Sequence, residues 1–326
     1  SVEPCLLRRR ASRNMTAMHA YLPRDFVETA EGLFFAVLAS DLDKQRLPGF
    51  LRYVRTGNSL RKLATEEANQ LLESSYPEYL YYSSLRDVRL HGVPPNRIRR
   101  HHSARRRANE ILRSNVHQSI ETKTRRIIEL LVHSGVDAGQ IGLSGSLAIG
   151  AHHAHSDIDL VIYDRRLFVR AREAVRHATA AGDLQPMNER LWREAYERRR
   201  CCLSFSEFLW HERRKHNKLV IDGTKADISL VIPDAAPSTV AWKKIAKTEI
   251  QARVIHDLHA FDYPASWSVD HAELSEVVSF THTYTGQARR GELITARGWK
   301  ERSATGASRL LVGTSREARD EFIKVV

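Results

Sequence analysis

The chain has 326 residues, 42% of them hydrophobic, and a formal net charge of +12. That length supports two or three domains with real cores, and the apolar content excludes a wholly disordered chain. No run of ~18 apolar residues occurs, so no membrane-spanning helix is expected, and the three cysteines, Cys5, Cys201 and Cys202, form neither a disulfide framework nor a zinc pattern. Residues 1–22 begin SVEPCLLRRRASRN, lack the apolar stretch of a signal peptide, and read as a disordered leader or an expression remnant upstream of Met15 or Met18. Residues 23–95 read as a small α+β module. In it, Gly32 to Ser40 and Phe50 to Arg55 are strand-like, Thr65 to Ser75 has helical spacing with Thr65 as N-cap, and Glu78 to Ser84 is an aromatic strand. Phe34, Phe35, Phe50, Tyr53, Tyr79, Tyr81 and Tyr82 are expected in its core, with base stacking as the sharper alternative. Residues 96–121 read as a basic linker that becomes helical. Between Pro95 and Arg126, ten Lys or Arg stand against two Glu, and the helix runs on to a C-cap at Gly135. Residues 122–262 hold the chemistry-bearing stretch. Residues 270–326 alternate in short strands between Gly and charged turns, the pattern of a small β-barrel.

Within 122–262, Ile141 to Asp164 reads as a strand, a Gly145-Ser146 turn, a helix start, a loop, and a strand carrying Asp157 and Asp159. Alternation puts both carboxylates on one face and Ile158 and Leu160 on the other. Adjacent carboxylates repel, so they call for a cation, and a hard divalent ion takes oxygen ligands together with phosphate. A Gly-Ser turn offers free backbone N–H groups and a hydroxyl, which suits a phosphate. A helix is expected from Arg166 to Gly182, then the basic amphipathic stretch 191–200, then a hairpin of Lys218–Ile221 and Lys225–Ile232 across Asp222-Gly223. The second hairpin strand brings a third carboxylate, Asp227, to the same sheet. Asp164 and Asp234 read as cap or turn residues. His152, His153 and His155 read as a solvated loop, because no further ligand completes a zinc set. Ser156 and Lys225 are candidate phosphate ligands, with Lys215 and Lys218 as weaker ones.

The order of apolar residue, Gly145-Ser146, ten residues, then Asp157-Ile158-Asp159-Leu160 resembles the signature of the nucleotidyltransferase superfamily related to DNA polymerase beta. The stretches RDFVETAEGLFFAV, PEYLYYSSLRDVRLHGVP and FLWHERRKHNK are similar to archaeal, including haloarchaeal, nucleotidyltransferases. The resemblance implies an α+β fold: a polymerase-beta-like core of mixed sheet and helices, flanked by the N-terminal module and the C-terminal barrel. It implies an NTP-dependent enzyme, ATP among its substrates, moving an NMP to an acceptor hydroxyl. Asp157, Asp159 and Asp227 would hold two Mg²⁺ or Mn²⁺ ions, and Gly145, Ser146, Ser156 and Lys225 would bind the nucleotide. The basic 97–126 segment makes a nucleic-acid partner the favoured acceptor, in a cytoplasmic protein. A non-catalytic nucleic-acid binder with a degenerate fold, and a toxin–antitoxin-type enzyme acting on a protein or tRNA, are the alternatives. Two features depart from the pattern: Ala226 stands where an aromatic is expected before the third Asp, and the chain is basic where a haloarchaeal protein would be acidic.

Overall fold

The computed structural model describes residues 21–115, 119–233, 239–314 and 318–326. Residues 1–20 of the expected leader, with Cys5, and the expected turn residue Asp234 lie outside the described residues; Tyr21 and Leu22, expected in the disordered leader, are instead ordered, because Leu22 is buried against the second sheet. Within them the chain is α+β, with three sheets and seven α-helices.

The first sheet is built from β1 (Phe26–Thr29), β2 (Leu33–Val37), β3 (Leu47–Thr56), β4 (Ser59–Lys62), β5 (Leu80–Ser83), β6 (Val88–Val93) and β7 (Ile98–His102). Its order is β5-β6-β3-β2-β1-β7, with β4 paired to β3. Helix α1 (Thr65–Ser75) lays Ala68 and Leu72 against it. Ala64, not Thr65, is the N-cap of that helix, and it makes no side-chain bond. Leu63 is anchored in the core, and the chain turns helical directly after Ala64, so the Thr65 hydroxyl already lies inside the first turn. The basic linker also begins differently from its expected form. Ile98–His102 is a strand paired with β1, and only after Ser103, whose hydroxyl accepts from the Arg106 N–H, does helix α2 (Ala104–Arg113) start. Five of the seven singled-out aromatics are buried, whereas Phe50 and Tyr82 are exposed.

The second sheet has the order β10-β11-β9-β8, from β8 (Ile141–Ser144), β9 (Ile158–Ile162), β10 (Lys218–Ile221) and β11 (Thr224–Leu230). Strands β9 and β11 are parallel, and the other two pairings are antiparallel. Helix α3 (Ser119–His133) precedes β8, and the four-residue α4 (Gly145–Ala148) follows it. Helix α5 (Arg165–Ala181) begins where the Asp164 carboxylate accepts from the Leu167 N–H, and ends at Gly182 with φ +87°. Its Phe168, Ala171, Val175 and Ala178 recur at helical spacing and meet Ile158, Leu160 and Ile228 in the main core. Asp222 and Gly223 both have positive φ, which is the two-residue turn that the hairpin needs.

Helices α6 (Glu189–Arg199) and α7 (Phe205–Arg213) pack Trp192 and Phe208 onto the third sheet. That sheet comprises β12 (Trp242–His256), β13 (Ala265–Asp270), β14 (Glu276–Ser279), β15 (Leu293–Ser303), β16 (Ser308–Val312) and β17 (Phe322–Val325). Beyond its linear order β12-β13-β14-β16-β15-β17, β15 also pairs with β12, so the pairings return to the first strand. Strands 242–256 and 265–270, ahead of the expected C-terminal module, thus pair into the same sheet as 276–325. Among the described residues no helix is long and apolar enough to cross a membrane.

Candidate active site

The parallel register of β9 and β11 makes Asp159 and Asp227 direct Cα partners. Alternation then lines up Asp157, Asp159, Val161 and Tyr163 beside Lys225, Asp227, Ser229 and Val231 on one sheet face, opposite the helical core. The far end of this face is covered: Leu22 packs on Val161, Tyr163 and Val231. The near end carries the three carboxylates. Desolvation raises the proton affinity of Asp159, the neighbouring Asp227 raises it further, and Arg24 opposes both. Asp227 Oδ1 is buried with no hydrogen-bond partner among the described residues. A crowded carboxylate pair with an orphaned, buried oxygen is a donor set that a hard cation fits.

Asp157, at the end of the same face, is engaged by cations. Its Oδ2 is 2.6 Å from the Lys225 ammonium and 3.5 Å from the Arg198 guanidinium. Among the described residues no group of three or more His, Cys, Asp or Glu side chains is arranged to hold a metal. The engagement of Asp157 by Lys225 leaves Asp159 and Asp227 as the two carboxylates in register.

Gly145 follows β8 with φ +64°, and a Cβ there would collide with Asp159 Oδ2. Two demands therefore meet at one position: a left-handed backbone, and room for a carboxylate. Ser146 lies in α4, partly buried, with its carbonyl accepting from the Ala151 N–H. Ser156 is buried, and its hydroxyl accepts from the His153 N–H at 3.0 Å, which closes the loop that leads into Asp157. His153 and His155 are exposed and His152 is half-buried.

Lys215 and Lys218 do not face the carboxylates as free cations. Both ammonium groups reach the buried Glu212, at 2.5 and 2.6 Å, and Lys215 also donates to the Thr283 carbonyl. A completely buried lysine needs a carboxylate partner more than it needs a ligand, and Glu212 supplies one. Ala226 is fully buried in the core beneath the carboxylates.

Several site residues escaped the sequence reading. Arg24 has φ +78°, an uncommon conformation for a non-glycine residue. The Ser144 hydroxyl donates to its carbonyl at 2.7 Å. Its guanidinium donates to Ser229 Oγ at 3.2 Å, approaches His282 Nε2 at 3.2 Å, and lies within electrostatic reach of Asp159 and Asp227. Desolvation lowers the Arg24 pKa, and the two carboxylates oppose that. His282 stacks on Tyr263, whose hydroxyl is pushed up to about 12 by burial, against Arg24. Tyr53 and Lys62 of the first sheet also lie within electrostatic reach of Asp159. The site thus stands where three sheets meet. No local motif marks Arg24, Tyr263 or His282, because their roles arise from contacts between distant segments. Arg198 carried one signal, the basic face of the 191–200 stretch.

No protein-family model matches the chain, and no solved structure matches it. The chain is 34% identical over 343 aligned positions to the uncharacterized protein MJ1086 of Methanocaldococcus jannaschii, covering 93% of this chain and 98% of that protein. It belongs to the same family as MJ1086.

Proposed function

We propose that this member of the MJ1086 family is a metal-dependent nucleotidyltransferase, which moves an NMP from an NTP, ATP among them, to an acceptor hydroxyl. The observation that carries the reading is the side-by-side placement of Asp159 and Asp227 on parallel strands, with Asp157 two residues upstream and Gly145 against Asp159. We read the β10-β11-β9-β8 sheet with its helices as a polymerase-beta-like core, the third sheet as a barrel-like module, and the protein as cytoplasmic.

Asp157, Asp159 and Asp227 would hold Mg²⁺, with Mn²⁺ able to replace it. The chemistry such ions supply when bound is positive charge, which lowers the pKa of the acceptor hydroxyl and offsets the charge growing on the leaving pyrophosphate. The turn at Gly145 and Ser146 would receive the phosphates. Lys225 supplies a buried ammonium beside them, paired in this structure with Asp157. The acceptor oxygen bonds to the α-phosphorus, the bond to the bridging oxygen breaks, pyrophosphate leaves with that electron pair, and the hydroxyl proton is released to solvent.

The nucleic-acid reading of the 97–126 segment loses ground to the nucleotide reading. Arg105 lies 4.3 Å over the Tyr163 ring, Arg106 donates to the His101 carbonyl, and Arg107 donates to the Leu147 carbonyl and pairs with Glu121. These cations are engaged within the protein. RNA remains a proposed acceptor, alongside the protein or tRNA acceptor of a toxin–antitoxin-type enzyme, which would use the same site.

Incubation with each α-labelled NTP, Mg²⁺ and total cellular RNA tests the reading. Label should pass to an acceptor with release of pyrophosphate, and Asp159→Asn should abolish this. A chain that neither binds any NTP in the presence of Mg²⁺ nor transfers label sinks it.

A further inference from the structure

We propose that the N-terminal module forms the opposite wall of this site, and that Arg52 of β3 and Lys62 of β4 hold the triphosphate of the incoming nucleotide. The inference rests on the nucleotidyl-transfer reading and deepens it, by moving part of substrate binding into a second folded unit.

Placement is the first support. The face of the first sheet that carries Phe26, Phe34 and Tyr53 packs on Ala148, with Ile149 and Ala151 against the same cluster. These residues belong to α4 and the loop after it, so the module sits directly on the Gly145-Ser146 turn. The Ser144–Arg24 hydrogen bond fastens the same junction.

Local backbone geometry is the second. Phe34 pairs with Tyr53 and Phe35 with Leu51, so Arg52 is an extra residue in β3, opposite no partner. Such a bulge breaks strict alternation and re-aims a side chain. Lys62 pairs with Tyr53 across β3 and β4. Arg52 lies within electrostatic reach of both Tyr53 and Lys62, and Lys62 within reach of Asp157, Asp159 and Arg198. The bulge thus gathers Arg52 to the side where Lys62 and Tyr53 face the carboxylates.

Charge is the third. Among the described residues neither Arg52 nor Lys62 has an ion-pair or hydrogen-bond partner for its side chain. Lys225 and Arg198 already serve Asp157, and Arg24 serves Asp159 and Asp227. Two further cations converging on a balanced site repel one another unless a polyanion joins them. A triphosphate meets that need at one point. A nucleic-acid backbone calls for cations strung along a track, whereas these converge, and Arg105, Arg106 and Arg107 of the linker are engaged within the protein.

The test is ATP and AMP binding by calorimetry, with Mg²⁺, to the whole chain and to Arg52→Gln/Lys62→Gln. Arg99→Gln/Arg100→Gln, exposed on the edge strand β7, serves as a control with the same change of charge. The first pair should weaken ATP on the order of tenfold per lost charge-assisted contact and leave AMP almost unchanged. The control should leave both unchanged. Lys62→Gln alone, at an exposed position, repeats the measurement if the double variant melts early. Unchanged ATP affinity overturns the proposal, as does loss of RNA binding with ATP affinity intact. Failure of the unaltered chain to bind any NTP would instead remove the nucleotidyl-transfer reading, and this wall with it.

Discussion

The Lys225 ammonium stands 2.6 Å from Asp157 Oδ2, on the same strand that carries Asp227 two residues later. A protein cation therefore holds the carboxylate that the resemblance assigns to metal. Lys225→Met keeps the length of the side chain and removes that competitor. Mn²⁺ titrations followed by the resonance of the free ion should show severalfold tighter binding in the variant. The cost in stability should be small, about 1 kcal/mol or less, because Asp157 is 38% exposed and such pairs are screened. Weaker Mn²⁺ binding in the variant would mean that Lys225 supports the ligand set and does not compete with it.

Gly145 and Gly182 separate strain from function. Both have positive φ, +64° and +87°, so alanine at either carries a backbone penalty of about 1–2 kcal/mol. Only at Gly145 does the added Cβ collide with Asp159, while at Gly182 it meets open space. Melting temperatures should therefore fall in both variants, and Mn²⁺ affinity only in Gly145→Ala. A comparable loss of Mn²⁺ affinity in Gly182→Ala would show that global destabilisation explains the effect.

Two buried histidines set an acid limit. The His91 ring accepts from the Leu51 N–H through Nδ1 and bonds Asn69 Oδ1 through Nε2. His211 bonds the Glu207 carbonyl through Nδ1 and accepts from the Val325 N–H through Nε2. Each geometry needs a neutral ring, and burial pushes both down to about 4. The unfolded chain titrates near 6.5, so between pH 6.5 and 4 it binds protons that the folded chain refuses. Their contribution is complete above pH 6.5 and declines as pH falls toward 4. At pH 5 each should have lost about 2 kcal/mol. Urea unfolding at pH 7.5 and pH 5 checks this, and His211→Gln should shrink the difference between the two.

The hairpin turn at Asp222-Gly223, the cap at Asp164 and the stop at Gly182 were legible because each depends on residues close in sequence. The pairing of Asp159 with Asp227 was legible in kind, because both lie in short apolar strands whose alternation fixes a common face. Arg24 was not legible, since a guanidinium reaching Ser229 and His282 depends on how three sheets dock, and no local pattern encodes that. The β7 strand is not legible for a related reason. Arg99, Arg100, His101 and His102 have little strand-like alternation of hydrophobicity, and the pairing with β1 outweighs local preference. Lys215 and Lys218 looked like ligands only while their partner Glu212 was unseen.

Glu212 is the sole carboxylate paired with these two ammonium groups among the described residues. Desolvation acts to raise its pKa, but Lys215 and Lys218 overcome that and hold the carboxyl below its ordinary range. Burial lowers Lys215 to about 8, against the pull of Glu212. Glu212→Gln leaves a buried cation uncompensated and should destabilise by about 3–5 kcal/mol. Lys218→Gln removes the less buried partner and should cost less. Equal losses in denaturant midpoint would show that the triad does not act through charge.

The linker arginines divide into two groups that mutation should tell apart. Arg107 joins the Leu147 carbonyl next to the Gly145 turn and pairs with Glu121, and Arg105 covers the Tyr163 ring and donates to Gln140. Arg99 and Arg100 are exposed on the edge strand. Arg107→Ala removes a partly buried charged bond that ties α2 to the site, and should lower stability by about 1.5–3 kcal/mol. Arg99→Ala/Arg100→Ala should leave stability within about 0.5 kcal/mol, as surface substitutions do. If RNA is the acceptor and this edge contacts its backbone, the log–log salt slope of RNA binding should flatten by about 1.4 in that pair, at roughly 0.7 per phosphate. Arg107→Ala should leave the slope near its original value while lowering the melting temperature. The reverse pattern, a flattened slope in Arg107→Ala and none in the edge pair, would mean that the intramolecular bonds of Arg107 yield to a phosphate backbone and that the linker itself is the nucleic-acid surface.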